Sequence, residues 1–438
     1  MLSVKRWAAL AASLLLLSPG AFAAPTQEGD AGLKRDAVSP RADDDDWHWV
    51  ATWTSMPQLV EPNNMPPAPF NGGGSVFRDA TLRQTLHLSI GAERLRLQIS
   101  NTFGGSDLPI TAATIALPAG GKAGVAGIDT STLQPLTFNN GSASITVPKG
   151  EVAYTDPIDF TVPPQTNIAV SLYFQAGQSG SSIDGHPGSR TTSWMQSGNQ
   201  VEAASLSGSN TKHWYFLSAV EAWAPPTTGA LVILGDSITD GRGSTDDGNN
   251  RWPDLLLARL QQEGGALAEI AVNNQAAGGN AVLSGGLGPT LLSRYERDAL
   301  RVAGVKYVMV FEGVNDIGGG PTDAGSQAGI GSRLQDAFAQ IAADCKAAGL
   351  KTIGATITPF SGNGQPYSNP TREQTRAQVN EWILTSGTFD ATVDFAAILA
   401  NPSAPSQLAS QYDGGDHLHP NVAGYQALAD GFPLEVFE

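Results

Sequence analysis

An apolar run passes directly into a glycine-rich turn in the stretch Ala230-Leu231-Val232-Ile233-Leu234-Gly235-Asp236-Ser237-Ile238-Thr239-Asp240-Gly241. Five consecutive apolar residues are typical of a strand that is buried on both faces, as in a parallel sheet. A serine at the end of such a strand can present both its hydroxyl and its own backbone N–H to a substrate. Serines are common in turns, however, so a role for Ser237 needs support from other parts of the chain.

The sequence after this stretch alternates apolar runs with amphipathic helical patterns. Further strands are predicted at Ile270–Val272, Tyr307–Phe311, Thr352–Ile357 and Thr392–Phe395, and helices at Trp252–Gln262, Ile330–Ala348 and Arg372–Leu384. This rhythm predicts an α/β domain with a parallel sheet covered by helices. In such domains the reactive groups lie at the carboxyl ends of the strands.

The sequence before this stretch has the period of short antiparallel strands. Apolar and polar residues alternate in runs such as Leu86–Ile90 and Leu95–Ile99, and short apolar runs recur at Ile168–Phe174 and His213–Val220. Turn residues separate these runs, which predicts an all-β sandwich. The character of the sequence changes near residue 225. We therefore predict a β-sandwich domain at 47–224 and a catalytic domain at 225–438.

The N-terminus has the pattern of a secretory signal peptide. Lys5 and Arg6 precede the apolar run Trp7–Leu17, and Ala21-Phe22-Ala23 supplies the small residues of a cleavage site. The apolar run is far shorter than the ~20 residues that cross a bilayer. We therefore predict a signal peptide at 1–23, a secreted extracellular protein and no stable membrane insertion.

The segment at 24–46 is predicted to be a propeptide or a disordered linker. Lys34-Arg35 is a candidate dibasic processing site, and the run Asp43–Asp46 is interpreted as solvated. Asn140 begins the sequon Asn140-Gly141-Ser142, so it is the candidate glycosylation site.

The net charge of the chain argues against two classes of binding partner. The formal net charge is -16, with 25 Lys and Arg residues spread along 438 positions. Nucleic acids and anionic membranes require clustered basic residues, so neither is expected as a partner.

The single cysteine, Cys345, excludes an intrachain disulfide. Cys345 falls on an apolar helix face and is predicted to be buried and unreactive.

Three polar clusters follow later strands and can meet Ser237 at one sheet edge. They are Asn274–Asn280, Gly313–Asp316 and Asp416–Pro420. A serine hydroxyl needs a neighbouring base, which His419 can provide. Asp416 precedes His419 by three residues and can curl back to the other imidazole nitrogen, where it would fix the tautomer.

With these four blocks in this order, residues 231–420 resemble the SGNH hydrolase family, also called GDSL esterases. The motif Gly235-Asp236-Ser237-Ile238 has isoleucine where the family name has leucine. The resemblance implies a flavodoxin-like three-layer α/β/α domain. It also implies Ser237, Asp416 and His419 as the catalytic residues, and Ser237, Gly279 and Asn315 as the oxyanion hole. Arg251–Asp254 and Glu312–Asp316 are similar to a secreted branch related to xylan and aryl esterases, some of which carry an N-terminal β-domain.

These observations predict a carboxylic ester hydrolase without cofactor or metal, acting through an acyl-enzyme. The resemblance further suggests, as substrates, O-acetyl groups on plant polysaccharide or small aryl esters. Because His419 must be neutral to act as a base, kcat/KM is expected to fall as the pH drops through roughly 6–7. Oligomeric state and the role of the β-domain stay open at this point.

Several alternatives compete with this interpretation. An extracellular lipase or lysophospholipase of the same family would need an apolar acyl groove. A secreted carbohydrate-binding protein would have lost catalysis. His417 and His419 form an H-x-H pair that could bind zinc with a carboxylate, although His417 is more simply a residue beside the site. Asp236 and Asp316 could form a glycosidase-like acid pair, but bracing of loops by backbone hydrogen bonds is the simpler role.

Overall fold

The computed structural model describes residues 46–437 of the chain. The predicted signal peptide at 1–23, nearly all of the segment at 24–46 and the Lys34-Arg35 site lie outside these residues. Within the described part, no helix combines the length and the hydropathy that a membrane-spanning segment needs.

The first half of the described chain consists of short strands and turns. In chain order the strands are β1 (His48–Thr54), β2 (Gln58–Leu59), β3 (Ser75–Val76), β4 (Ala80–His87), β5 (Ala92–Ser100), β6 (Leu108–Ile110), β7 (Ala112–Pro118), β8 (Ile128–Pro135), β9 (Ile145–Val147), β10 (Val152–Tyr154), β11 (Ile158–Val162), β12 (Asn167–Phe174), β13 (Gln178–Ser179), β14 (Asp184–His186), β15 (Ser193–Ser197), β16 (Ser209–Thr211), β17 (Trp214–Tyr215) and β18 (Leu217–Ala224). We refer to residues 47–224 as the β half.

Two antiparallel sheets dominate the β half and share one apolar core. One sheet has the order β1-β18-β5-β10, with β11 also paired to β5, and the other has the order β16-β15-β4-β12-β7-β8. In β5 the alternation decides which face is buried, because Leu95, Leu97 and Ile99 point into the core while Arg96 points outward. Side chains from both sheets meet in that core, so the predicted β-sandwich is confirmed.

In the β half, one predicted strand ends early and another is interrupted. Strand β4 begins at Ala80 and ends at His87, so Leu88 and Ile90 are buried in the connection to β5 instead of extending a strand. The run His213–Val220 is interrupted at Phe216, where φ is 64°, which separates β17 from β18.

The second half of the described chain alternates strands with helices. Its strands are β19 (Gly229–Gly235), β20 (Ile270–Ala276), β21 (Val305–Phe311), β22 (Lys351–Ala355), β23 (Ala391–Val393), β24 (Ala400–Asn401) and β25 (Ala404–Leu408), and its helices are α1 (Ser237–Asp240), α2 (Trp252–Glu263), α3 (Leu291–Tyr295), α4 (Val314–Gly319), α5 (Ala324–Ala347), α6 (Pro370–Thr385), α7 (Phe395–Leu399) and α8 (Val422–Asp430). We refer to residues 225–437 as the α/β half.

Five parallel strands form the central sheet of the α/β half, in the order β20-β19-β21-β22-β23. This is the flavodoxin-like order 2-1-3-4-5, so the predicted fold class is confirmed. Every residue of β19 is buried, as its unbroken apolar sequence predicts. Strands β20 and β21 flank β19 on opposite sides, so the connections to its two neighbours diverge. A crevice therefore opens at the carboxyl end of β19, where Ser237 follows.

Cys345 lies within this core, on the buried face of α5. It is a free thiol, and burial raises its pKa to about 12. The prediction of a buried, unreactive cysteine is therefore confirmed, because the nucleophilic thiolate is strongly disfavoured.

The change from antiparallel to parallel pairing occurs between β18 and β19, where the sequence placed the boundary between two domains. Polar contacts nevertheless join the two halves. The Ser89 hydroxyl donates to the Val272 carbonyl at 2.8 Å and accepts from the Val272 N–H at 3.1 Å. The buried His186 imidazole contacts the Asp240 carboxylate at 2.8 Å. The division into separate domains stays a prediction, since the described residues lie in one compact unit.

Candidate active site

Ser237 follows β19 directly and is the first residue of the short helix α1. The Asp236 carboxylate accepts the backbone N–H of Ile238 at 3.0 Å, which caps the helix and fixes the turn. Burial raises the pKa of Asp236 to about 7. Gly241 ends α1 with φ of 101°, a conformation that favours glycine. The predicted bracing role of Asp236 is confirmed, and the turn holds the serine in one place.

His419 and Asp416 lie beside Ser237, although they are 182 and 179 positions later in the chain. The Ser237 Oγ is 2.8 Å from His419 Nε2, and His419 Nδ1 is 2.7 Å from Asp416 Oδ2. Asp416 Oδ1 also accepts the backbone N–H groups of Leu418 and His419, at 3.1 and 2.8 Å. The aspartate therefore holds its own loop in the curl that the i, i+3 spacing suggested.

The environment of this pair favours a neutral imidazole beside an ionised carboxylate. Burial lowers the pKa of His419, and the nearby Arg242 charge acts in the same direction, while Asp416 offsets part of the shift. Burial also tends to raise the pKa of Asp416, but the hydrogen bonds from His419 and Leu418 outweigh it and bring that pKa below its usual value. His419 Nδ1–H therefore donates to Asp416, and Nε2 is left to accept the Ser237 proton.

The three residues predicted for the oxyanion hole line one cavity. Gly279 follows β20 with φ of 69°, and Asn315 lies in the first turn of α4; both border the same space as Ser237. The Asn315 Nδ2 donates to the Asn280 carbonyl at 2.7 Å. An amide nitrogen carries two hydrogens, so one remains to stabilise an oxyanion.

Tyr367 is a site residue that sequence reasoning missed. Its hydroxyl donates to Asn315 Oδ1 at 2.9 Å. Because the Asn280 carbonyl can only accept, Nδ2 of Asn315 must face it, and Oδ1 must then face Tyr367. Tyr367 lies 52 positions after Asn315 on the loop between β22 and α6, and nothing in the local sequence distinguishes it from any other loop tyrosine. The hydroxyl thus fixes the orientation of the candidate oxyanion donor.

Replacing Asn315 with alanine should lower kcat by roughly 10²–10³ with little change in KM, because a donor that acts on the oxyanion is lost. Tyr367→Phe should lower kcat by about three- to tenfold, the net value of one hydrogen bond. In the Asn315→Ala background the tyrosine change should add nothing, since both residues act through one amide.

Steady-state kinetics on the two single variants and the double variant tests this coupling. Tyr307→Phe is a matched control, because the Tyr307 hydroxyl donates to the Phe437 carbonyl at 3.0 Å and belongs to another part of the fold. Strictly additive effects of Asn315→Ala and Tyr367→Phe would contradict the role given to Tyr367.

Arg294 is a second residue that the sequence did not reveal. Its side chain is fully buried and donates to the Gly235 and Gln275 carbonyls at 3.1 and 2.6 Å and to Asn280 Oδ1 at 2.9 Å. It also forms ion pairs of 3.3 Å with Asp298 and with Glu312. One guanidinium thus ties together the loops that follow β19, β20 and β21 and that carry Ser237, Gly279 and Asn315.

The buried Glu312 carboxyl depends on Arg294 as its neighbouring cation. Burial raises the pKa of Glu312 to about 8, and the Arg294 charge offsets only part of that effect. Loss of Arg294 would leave the buried Glu312 carboxyl without the cation that favours its ionised form, which is destabilising.

The residues beside the site have the simpler of their two predicted roles or a separate partner. Asp316 accepts the backbone N–H groups of Val282 and Leu283, both at 2.9 Å, which confirms its predicted bracing role. His417 Nδ1 lies 2.5 Å from Asp413, whereas His419 contacts Asp416. The two imidazoles of the H-x-H pair are therefore engaged by different carboxylates. Among residues 46–437, no group of three His, Cys, Asp or Glu side chains converges in a way that could hold a metal ion.

Ser237 opens into a cavity of about 480 Å³ that both halves of the chain line. The α/β half contributes Leu287 and Leu418 beside the candidate catalytic groups. The β half contributes polar side chains, among them Glu61 and His213. The site is therefore a composite cleft, which no single stretch of the sequence indicates.

The second half of the chain is similar to a known protein family. Residues 233–427 match the model of the GDSL-like Lipase/Acylhydrolase family. No curated protein sequence matches the chain.

Similar solved structures include an acetylxylan esterase from Geobacillus stearothermophilus, with 24% identity, coverage of 48% of this chain and 94% of that one, and a TM-score of 0.35. A lipase/acylhydrolase from Enterococcus faecalis has 20% identity, covers 46% of this chain and 92% of that one, and has a TM-score of 0.36. A GDSL-like lipase from Bacteroides thetaiotaomicron has 16% identity, covers 48% and 87%, and has a TM-score of 0.35.

Proposed function

We propose that this chain, whose residues 233–427 match the model of the GDSL-like Lipase/Acylhydrolase family, is a secreted serine esterase that hydrolyses short-chain esters through an acyl-enzyme. The observation that carries the proposal is the continuous hydrogen-bonded chain from Ser237 Oγ through His419 to Asp416 at the base of an open cleft. Nucleophile, base and orienting carboxylate are thus in contact in the order that acyl transfer requires.

In the first step Ser237 Oγ attacks the ester carbonyl carbon while its proton moves to His419 Nε2. The developing oxyanion is met by the Ser237 N–H, the Gly279 N–H and the free hydrogen of Asn315 Nδ2. Collapse of the tetrahedral intermediate breaks the bond to the alcohol oxygen, and the alcohol leaves with the proton from His419. Water then attacks the acyl-enzyme by the same route and releases the carboxylic acid and Ser237.

The composition of the cleft supports a short acyl group on a polar alcohol. Of the residues that line it, the aliphatic ones are Pro187, Leu287 and Leu418, and the others are mostly charged or polar. A lipase or lysophospholipase has to bury a long acyl chain, which requires a contiguous apolar groove. Acetyl esters of sugars or small aryl acetates fit this cleft better, so we take O-acetyl groups on plant polysaccharide as the proposed substrate.

Secretion is part of the same proposal. The basic, apolar and small-residue regions at 1–23 support it. Asn140 is exposed in a turn with φ of 63°, so the proposed glycosylation site is accessible.

An acyl-length series tests the substrate class. With p-nitrophenyl acetate, butyrate and octanoate, kcat/KM should be highest for acetate and at least about tenfold lower for octanoate, because the three aliphatic residues of the lining offer little room for a long acyl chain. Acetic acid release from acetylated polysaccharide should accompany the acetate activity. A maximum at octanoate that rises further above the micellar concentration would reverse the assignment in favour of a lipase.

A further inference from the structure

The two halves of the chain line the cleft with different side chains. The α/β side contributes both leucines of the lining, Leu287 and Leu418, together with Ser237, His419 and the charged residues Asp240 and Arg242. On the β side, the lining includes Glu61, Asn64, Arg190, Lys212 and His213, which we call the β wall. An ester has one apolar part, the acyl group, and in the proposed substrate one polar part, the sugar. The asymmetry of the cleft matches the asymmetry of such an ester.

The carboxylate of the β wall is held in a fixed orientation. Gln58 Nε2 donates to Glu61 Oε1 at 2.6 Å, and Asn64 Nδ2 donates to Glu61 Oε2 at 3.0 Å. The Asn64 carbonyl in turn accepts the hydroxyl of the fully buried Tyr215 at 2.8 Å. A carboxylate that is oriented before the ligand arrives loses little conformational entropy on binding. Glu61 has lone pairs beyond these two contacts and can accept further hydrogen bonds.

His213 supplies a second acceptor on the same wall. Its Nδ1 lies 2.6 Å from the Pro187 carbonyl, an acceptor, so Nδ1 carries the hydrogen. Burial lowers the pKa of His213, which favours the neutral ring. In the neutral tautomer Nε2 is an acceptor. The imidazole can therefore receive a hydroxyl hydrogen.

Cationic donors complete the β wall. Arg190 pairs with Asp246 at 2.8 Å, and Lys212 also pairs with Asp246. The shared carboxylate balances part of their charge while both retain hydrogens for other acceptors. Fixed acceptors and cationic donors within one cavity suit the hydroxyl groups of a sugar, each of which both donates and accepts.

We propose that the β wall is the subsite for the alcohol part of the ester and binds sugar hydroxyl groups, with Glu61 and His213 as specificity-determining residues. This inference rests on the proposed esterase function and gives the β half a role in substrate selection. It also explains why a hydrolytic domain and a β-sandwich share a single cleft.

The test compares two acetyl esters that differ in the alcohol. The measured quantity is the ratio of kcat/KM for mono-O-acetylated methyl β-xylopyranoside to kcat/KM for p-nitrophenyl acetate. Glu61→Ala and His213→Phe should each lower this ratio about tenfold, since each loses a hydrogen bond to the sugar. Glu202→Gln is the matched control, because Glu202 is an exposed carboxylate of the β half outside the cleft, and it should leave the ratio unchanged.

Binding to the Ser237→Ala variant separates the subsite from catalysis. Calorimetric titration with the acetylated xyloside should show weaker binding when Glu61→Ala is added to Ser237→Ala. An unchanged ratio in both β-wall variants, or a wild-type enzyme that turns over p-nitrophenyl acetate but not the sugar ester, overturns the subsite. A wild-type enzyme that hydrolyses no ester overturns the proposed function instead, and the titration then decides the subsite by itself.

Discussion

Replacing Ser237 with alanine should lower kcat for p-nitrophenyl acetate by about six orders of magnitude, close to the loss expected when a nucleophile-base unit is dismantled. The Ser237 Oγ is the atom that contacts His419 Nε2, at 2.8 Å, and alanine leaves the imidazole with no hydroxyl to deprotonate. The residual rate should come from substrate binding and the oxyanion donors alone.

The fold should survive this change. Ser237 follows the carboxyl end of β19 and borders the cleft, and its turn is held by the Asp236 cap and by glycine at position 241. The circular dichroism spectrum and the thermal midpoint of Ser237→Ala should therefore match the wild type. Binding of substrate should persist, because the residues that line the cleft are unchanged.

A matched serine substitution controls for nonspecific effects. Ser293 is exposed in α3, and its hydroxyl donates only to the Thr290 carbonyl at 2.8 Å. Ser293→Ala should retain wild-type kcat. If Ser237→Ala kept more than about one per cent of the wild-type rate, the nucleophile would have to be another group.

Asp416→Asn should lower kcat by about 10⁴ while leaving the loop in place. The carboxylate now accepts His419 Nδ1–H, which leaves Nε2 free to take the serine proton. An asparagine in the same position can turn its NH₂ toward Nδ1, and the imidazole then carries its hydrogen on Nε2. In that tautomer His419 cannot act as the base, although every atom is close to its original position.

The pH profile supplies an independent readout of the same substitution. His419 is active when neutral, so kcat/KM falls as the pH drops through its pKa. Burial lowers that pKa from 6.5, which moves the acid limb of the wild type below the position expected from the sequence. Asp416 raises the pKa of His419, so its loss in Asp416→Asn should move the acid limb to still lower pH.

Asp413→Asn is the appropriate control for Asp416→Asn. Asp413 pairs with His417 in the same loop, with the same carboxylate–imidazole contact, but it does not touch the Ser237–His419 pair. Its replacement should lower kcat far less than Asp416→Asn does, and it should leave the acid limb of the kcat/KM profile at the same pH. Equal losses in the two variants would indicate that Asp416 acts through loop stability instead of through the His419 tautomer.

Local features made much of this protein predictable. The apolar run before Ser237 defined a buried strand, and the amphipathic patterns placed α2 and α6 to within two residues of their observed limits. The spacing of Asp416 and His419 also carries its own geometry, because a side chain three residues away can return to the imidazole. Such features depend on neighbours in the sequence, where periodicity and turn chemistry operate.

Longer-range features were not readable in this way. Tyr367 and Asn315 meet across 52 positions, and Arg294 donates to the Gly235 and Gln275 carbonyls, which any residue type would provide. Isolated polar residues in loops have no periodicity, so their partners are unknown until the strands that carry the loops are placed side by side.

The sequence by itself determined that the chain has a parallel sheet, a β-sandwich and four polar blocks, one of which contains Ser237. Periodic burial and turns depend on the order of neighbouring residues, so they can be inferred locally. Only the tertiary structure decided that a wall from the β half lines the same cleft as Ser237, and that a buried arginine and a tyrosine hold the loops of the candidate oxyanion hole. Those arrangements depend on how two separate cores pack against each other, and hydrogen bonds between distant polar groups form only after that packing has brought them within reach.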